Sequence, residues 1–302
     1  MKTKSILSNY VSLLSSMRSV TLVILFFSIG TVFSGDLSAY QIYTEKGKAV
    51  DYKSLLKNTE DKKFIFFGEY HNNPIAHWLQ FELTKDLHAA FKKNLMLGAE
   101  MFEADNQFII NEYLNDLISS GNYQDEVRLW PNYNTDYKPL IEYAKEHKIP
   151  FIATNIPRRY ANMVYKKGLG SLNELSELAK SYIVPLDQFT FDSTITCYKN
   201  LMADMDGHGG INMAHAQAIK DATMAYFILK NMTSKSVFLH YNGAYHSDNK
   251  QGIVHYLLKT IAPEKILTIS TVEQKNVDQL LDENMGLADY IICVPQNMTK
   301  TH

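Results

Sequence analysis

The tetrapeptide Gly-x-x-His occurs twice, as Gly68-Glu69-Tyr70-His71 and as Gly243-Ala244-Tyr245-His246. Each copy follows a short apolar run, Phe64-Ile65-Phe66-Phe67 in one case and Val237-Phe238-Leu239-His240 in the other. Such runs read as buried strands, so each histidine should stand just beyond a strand end, beside a glycine turn. The two imidazoles then either meet over one sheet or belong to unrelated loops. If they meet, His71, His246 and Glu100 make a sufficient ligand set for a first-row divalent metal, zinc or manganese. Glu69 would be a further ligand or the base that activates a bound water. Two plainer readings compete: Glu100 and Arg158 as a buried structural ion pair, and Glu69 as an acceptor for the next helix N-terminus.

The elements that must position these residues follow from periodicity. Between residues 64 and 294, apolar runs alternate with helical patterns, which predicts an α/β fold with a mostly parallel central sheet flanked by helices. Strands are expected at about 64 to 67, 95 to 100, 150 to 154, 236 to 242, 265 to 271 and 289 to 293. Pro74 should open the first helix, where its missing N–H costs nothing, with Ile75, Trp78, Leu79, Leu83 and Leu87 as the buried stripe. Further helices are expected at about 105 to 120, 136 to 148, 157 to 180, 212 to 231 and 249 to 260. The stretch from Val184 to Gly210 fits neither period and reads as a cap or lid that Gly207, Gly209 and Gly210 would let bend.

Ligands of open α/β sheets bind outside the carboxyl ends of the strands. The residues there are Glu69, Tyr70, His71 and Asn72 after the first predicted strand, Glu100 at the second, Asn155, Arg158 and Arg159 after the third, and Tyr245, His246 and Asp248 after the fourth. Gln217 and Asp221, four residues apart, share a helix face with Met213 and Met224 nearby, and either line a pocket or cap the helix–sheet interface. His77 reads as a surface or satisfied interior histidine, His215 as a surface one and His208 as ordinary loop chemistry. Among the 19 tyrosines, Tyr70, Tyr133, Tyr137, Tyr160 and Tyr245 fall near this end. A phenolate can ligate ferric haem, and a basic neighbour would lower the cost of ionising it.

A chain of 302 residues, 46% hydrophobic, can bury a full core. Residues 1 to 18 carry Lys2, Lys4 and Arg18 and no acid, and 19 to 35 are uncharged. That reads as a signal peptide over 1–34 cut after Ser34, or an uncleaved anchor, followed by a single domain over 35–302 with its core at about 45–295. The protein is then exported, periplasmic or membrane-associated, although no cysteine near the junction allows a lipid anchor. Losing three basic residues takes the net charge from −2 to −5, which disfavours nucleic acid as a partner. Cys197 and Cys293 either pair or stay separate buried thiols.

These segments together resemble the ChaN family of haem-binding periplasmic proteins, within the Tiki, TraB and erythromycin-esterase group. Gly68 to Pro74, with His77 and Gln80, looks like the first motif. Glu100-Met101-Phe102 looks like the second, Asn155-Ile156-Pro157-Arg158 the third, Gln217 through Asp221 to Ala225 the fourth, and Gly243 to His246 the last. The resemblance spans about residues 45 to 295. It implies haem as cofactor, a role in haem or iron uptake, an outer-membrane haem receptor as a further partner, and a homodimer as one oligomeric form. The family's haem-ligating tyrosine lies outside these motifs and is assigned to no numbered residue. On this reading Met101, Phe102 and Met213 face the porphyrin, Arg158 or Arg159 takes the propionates, and Tyr70, Gln217, Asp221 and Tyr245 line the same site. Two alternatives stand beside it. One is a metal-dependent hydrolase, a protease or esterase, with Glu69 as catalytic base and His71, Glu100 and His246 on the metal. The other is an inactive scaffold.

Overall fold

Successive residues of a strand point to opposite faces of its sheet, and the run Phe64–Phe67 divides its side chains in that way. Phe64 and Phe66 enter one hydrophobic core and Ile65 and Phe67 another. In this computed structural model, which describes residues 37–203 and 210–302, the sheet is built from β1 (Gln41–Thr44), β2 (Ala49–Val50), β3 (Phe64–Glu69), β4 (Leu95–Glu103), β5 (Phe151–Asn155), β6 (Val237–Gly243), β7 (Ile266–Gln274) and β8 (Tyr290–Pro295). Their order is β2-β1-β8-β7-β3-β6-β4-β5. The six strands from β3 to β8 are mutually parallel, and β1 and β2 add an antiparallel edge. The expected α/β class and all six expected strands are present. The edge pair is an addition that the sequence reading did not contain.

Helices Pro74–Phe91, Gln107–Leu114 and Lys138–Glu146 cover the face that holds Ile65 and Phe67. Helices Arg158–Lys167, Ile211–Asn231 and Ile253–Leu257 cover the other. The first helix opens as expected at Pro74, and Asn73 caps it by accepting from the N–H groups of Ile75 and Ala76 at 3.0 and 3.1 Å. Its buried stripe contains Ile75, Leu79, Leu83 and Leu87, but Trp78 is half exposed, with its ring edge-on to Tyr40. The single helix expected over 157 to 180 breaks after Lys167, where Gly168 takes φ 80°. The stretch before 138 winds as a π-helix, Tyr133–Tyr137.

The cap expected over Val184 to Gly210 is packed down where it is described. Its helix Thr196–Ala203 buries Tyr198 against the Ile211–Asn231 helix, and the Cys197 N–H donates to Gln251 Oε1 at 2.8 Å. His208, Gly207 and Gly209 lie outside the described residues, as does the expected signal over 1–34. Cys197 and Cys293 are both buried and free, so the pairing option is not realised. Residues Ser38–His302 form one compact unit. None of the described helices is long and apolar enough to cross a membrane.

Candidate functional site

β3 and β6 are adjacent and parallel, with Glu69 opposite Gly243. The two tetrapeptides therefore run side by side off the carboxyl ends of neighbouring strands. Their glycines have unexceptional backbone angles and make no turn; what requires them is proximity. A Cβ on Gly68 would stand 2.9 Å from the Cα of Ala244, and one on Gly243 would stand 2.8 Å from His71 Nε2. Each tetrapeptide leaves out a side chain where the other needs room.

Glu69 is buried at the base of the first half of the site. One oxygen accepts from Tyr137 Oη at 2.7 Å and lies 2.9 Å from His71 Nδ1, and the other accepts from Gln80 Nε2. Burial alone would raise this carboxyl, but the hydrogen bond from His71, the neighbouring His77 and the Tyr137 hydroxyl hold it below the usual carboxylate range. His71 is opposed by burial and raised by its bond to Glu69 and by the charge of Glu100, with a net upward shift. Its side chain is 36% exposed, and its Nδ1 is engaged by the carboxylate while Nε2 has no hydrogen-bond partner among the described residues. Trp130 stacks edge-on against the ring at 4.8 Å. His77, expected as a surface or satisfied interior histidine, is the latter, buried behind this pair. Its Nδ1 meets Gln80 Oε1 at 3.0 Å and its Nε2 meets the His71 carbonyl at 3.1 Å. Asn132 donates to the same carbonyl at 2.7 Å and to Asp136 at 2.6 Å. The π-helix delivers Asp136 and Tyr137 to this network, and nothing in the apolar periodicity foretold it.

The second half centres on His246. Its Nε2 lies 3.1 Å from Glu100 Oε1 and its Nδ1 is hydrogen-bonded to Asp221. Glu100 Oε2 accepts the Gly243 N–H at 2.8 Å, and Tyr198 Oη donates to the other Asp221 oxygen at 2.8 Å. Burial would depress His246, but the two carboxylates push it up to about 10. Glu100 is held far below its ordinary value by His246 despite burial, whereas burial leaves Asp221 raised. His246 is thus a charged imidazole clasped between two buried acids. Gln217, one helical turn before Asp221, lies 3.1 Å from the same ring. The spacing of Gln217 and Asp221 did bring them to one face, which both present to His246.

Several expectations change once the side chains are placed. Glu100 pairs with His246, and Arg158 has no carboxylate partner among the described residues. Arg159 is paired with Asp105 at 2.6 Å and lies over the Tyr160 ring. Met101 and Phe102 are fully buried, with Phe102 packed on Phe151 and Tyr133; only Met213 of that trio is exposed. Tyr245 Oη is occupied by the Cys197 carbonyl at 2.6 Å, and burial pushes its phenol up to about 12. Tyr70 is exposed, yet burial of part of its ring and the acids Glu273 and Asp248 raise it, the reverse of the basic neighbour expected. His215 is part-exposed, with its ring edge-on to Phe191 and its Nδ1 buried. No group of three His, Cys, Asp or Glu converges as a metal cage among the described residues. A cavity of about 370 Å³ opens beside Glu100, between Trp130 and Arg158.

The architecture resembles known structures. A ChaN of Campylobacter jejuni described as binding haem cofacially superposes with a TM-score of 0.64 at 15% identity, covering 84% of this chain and 96% of that one. An erythromycin esterase mutant in its open conformation gives a TM-score of 0.50 at 11% identity, covering 84% of this chain and 97% of that one. No curated protein matches by sequence. The sequence pattern of the family described as haem-binding uptake, Tiki superfamily, ChaN matches residues 55–257, a stretch that contains Glu69, His71, Glu100, Asp221 and His246. The chain belongs to that ChaN family.

Proposed function

We propose that this protein binds haem at the carboxyl ends of β3, β6 and β4 and that it serves haem or iron uptake after export. The observation that carries the reading is His71. Its Nδ1 is anchored by a buried carboxylate while its Nε2 is unpartnered on a part-exposed ring, the arrangement that orients a metal-ligating histidine; family membership supplies the metal-bearing group. The residues fit haem in kind: an imidazole for the iron, Trp130 and Met213 as exposed or half-exposed apolar contacts, and Arg158 as an unpaired cation for a propionate. Bound iron would supply ligand exchange or electron transfer there. The chain's own part is to orient the imidazole through Glu69 and to keep His246 charged behind Glu100. An outer-membrane haem receptor as donor, a homodimer and action in the periplasm belong to the same proposal. The test is a titration of residues 35–302 with ferric haem, followed by absorbance. We expect a saturable spectral shift whose shape changes in His71→Ala. No shift would remove the reading, and a change in Tyr70→Phe with His71→Ala unaffected would move the ligand to Tyr70.

A second reading, hydrolysis, is favoured by one feature: two histidine–carboxylate pairs face each other across Glu100. Glu69 is only 2% exposed, and its oxygens face His71, Tyr137 and Gln80. His71 would act as the general base through Nε2, with Glu69 orienting it and stabilising the imidazolium. Turnover of an ester that vanishes in His71→Ala would establish this activity; turnover insensitive to His71→Ala would dismiss it. A zinc or manganese hydrolase would additionally lose activity to a chelator and regain it with the ion.

A further inference from the structure

The cavity beside the paired histidines carries a charge imbalance. Among its lining residues are Glu100, Trp130, Asn155, Ile156, Arg158 and Lys220. Arg128, also on its rim, is neutralised by Glu103 at 2.7 Å and Asp105 at 3.1 Å. Glu100 is taken by His246 and the Gly243 N–H. Arg158 and Lys220 have no carboxylate within ion-pairing distance among the described residues, so two cations face the cavity unmatched. Asn155 donates through Nδ2 to the Glu100 carbonyl at 2.9 Å, and its Oδ1 is then buried with no hydrogen-bond partner. Trp130 and Ile156 supply apolar wall.

We propose that this cleft binds a small, flat organic acid. Its carboxylate lies between Arg158 and Lys220, and its apolar body lies against Trp130 and Ile156. The volume of about 370 Å³ is in the range of small-molecule sites. The inference stands on the cleft and not on haem binding. A haem propionate and a free small acid present the same carboxylate, and the experiment separates them.

Calorimetric titration of residues 35–302, which contain the whole compact unit Ser38–His302, would use indole-3-acetate and its neutral amide as probes. The expected result is saturable binding of the acid, at least tenfold tighter than the amide, and weakened at least tenfold by Arg158→Gln and by Lys220→Gln. Both side chains are at least partly exposed, so neither change threatens the fold. A second arm compares ferric haem with its dimethyl ester. Haem binding that falls on esterification and on Arg158→Gln assigns the carboxylate to a propionate; tight indole-3-acetate binding with no haem shift assigns it to a free acid and leaves the cleft proposal intact while the haem reading fails. Equal affinity for acid and amide, acid binding indifferent to both substitutions, or binding of neither carboxylate overturns the proposal.

Discussion

At the scale of single residues, the two tetrapeptide glycines are the most exposed to test. Gly243→Ala places a methyl group against His71 Nε2, and overpacking of this kind costs about 1–3 kcal/mol. The ring can escape toward solvent, so the expected outcome is a modest loss in urea stability with a larger loss of haem affinity, at least tenfold in the absorbance titration. An unchanged titration would mean that the position of His71 does not matter to binding. His240 gives a separate test away from the ligand-facing atoms. Burial holds its imidazole down to about 4 from an ordinary 6.5, against the opposing pull of Asn242 and Glu100. The unfolded chain therefore binds a proton that the fold refuses, and the stability conferred is intact above pH 6.5 and lost as pH falls toward 4, by roughly 3 kcal/mol. His240→Gln should flatten the urea midpoint between pH 6.5 and 4 relative to the native chain, whatever its effect at pH 7. The histidines of the tetrapeptides were legible in the sequence because each ends an apolar strand. Their partners were legible only in part: His77 and Tyr137 were placed near the site without a role, and Asn132, which precedes the π-helix, has a spacing that relates to nothing in β3 or β6.

At the scale of elements, the parallel core was readable because its strands are continuous apolar runs buried on both faces, and the Pro74 helix because Asn73-Pro74 is a cap followed by a first-turn proline. The β1–β2 edge was not, since its strands of four and two residues are too short to show a period. The Trp78 error has the same origin: a helical stripe gives direction but not width, and Trp78 sits at its margin. The cap itself yields a measurable prediction. Asn73 also donates to Glu273 at 3.1 Å, so Asn73→Ala removes two cap bonds and one tie to β7. The expected loss is about 1–2 kcal/mol in chemical denaturation, and Asn73→Asp, which keeps the acceptor, should recover part of it. Equal losses in the two variants would show that the cap acceptor contributes nothing and that the tie to Glu273 dominates.

At the scale of the whole molecule, the site is fastened from a part of the chain that no local pattern connects to it. After β8, on the far side of β7 from β3, the chain returns across the carboxyl end of the sheet. There the Thr301 N–H donates to the Asn72 carbonyl at 3.0 Å and its hydroxyl to Asp136 at 2.7 Å, and Lys300 pairs with Glu273. Asp136 bonds Asn132, which bonds the carbonyl of His71, so Thr301 reaches the histidine through Asp136 and Asn132. Thr301→Val keeps the backbone bond and removes the hydroxyl, leaving a buried carboxylate oxygen with one donor fewer. The cost expected is about 1–2 kcal/mol. If the fastening also sets the ring, haem affinity should fall in Thr301→Val and return in Thr301→Ser, which restores the hydroxyl but not the methyl group. A stability loss with haem affinity unchanged would confine the tail to holding the fold, and recovery of neither property by serine would assign the effect to lost packing.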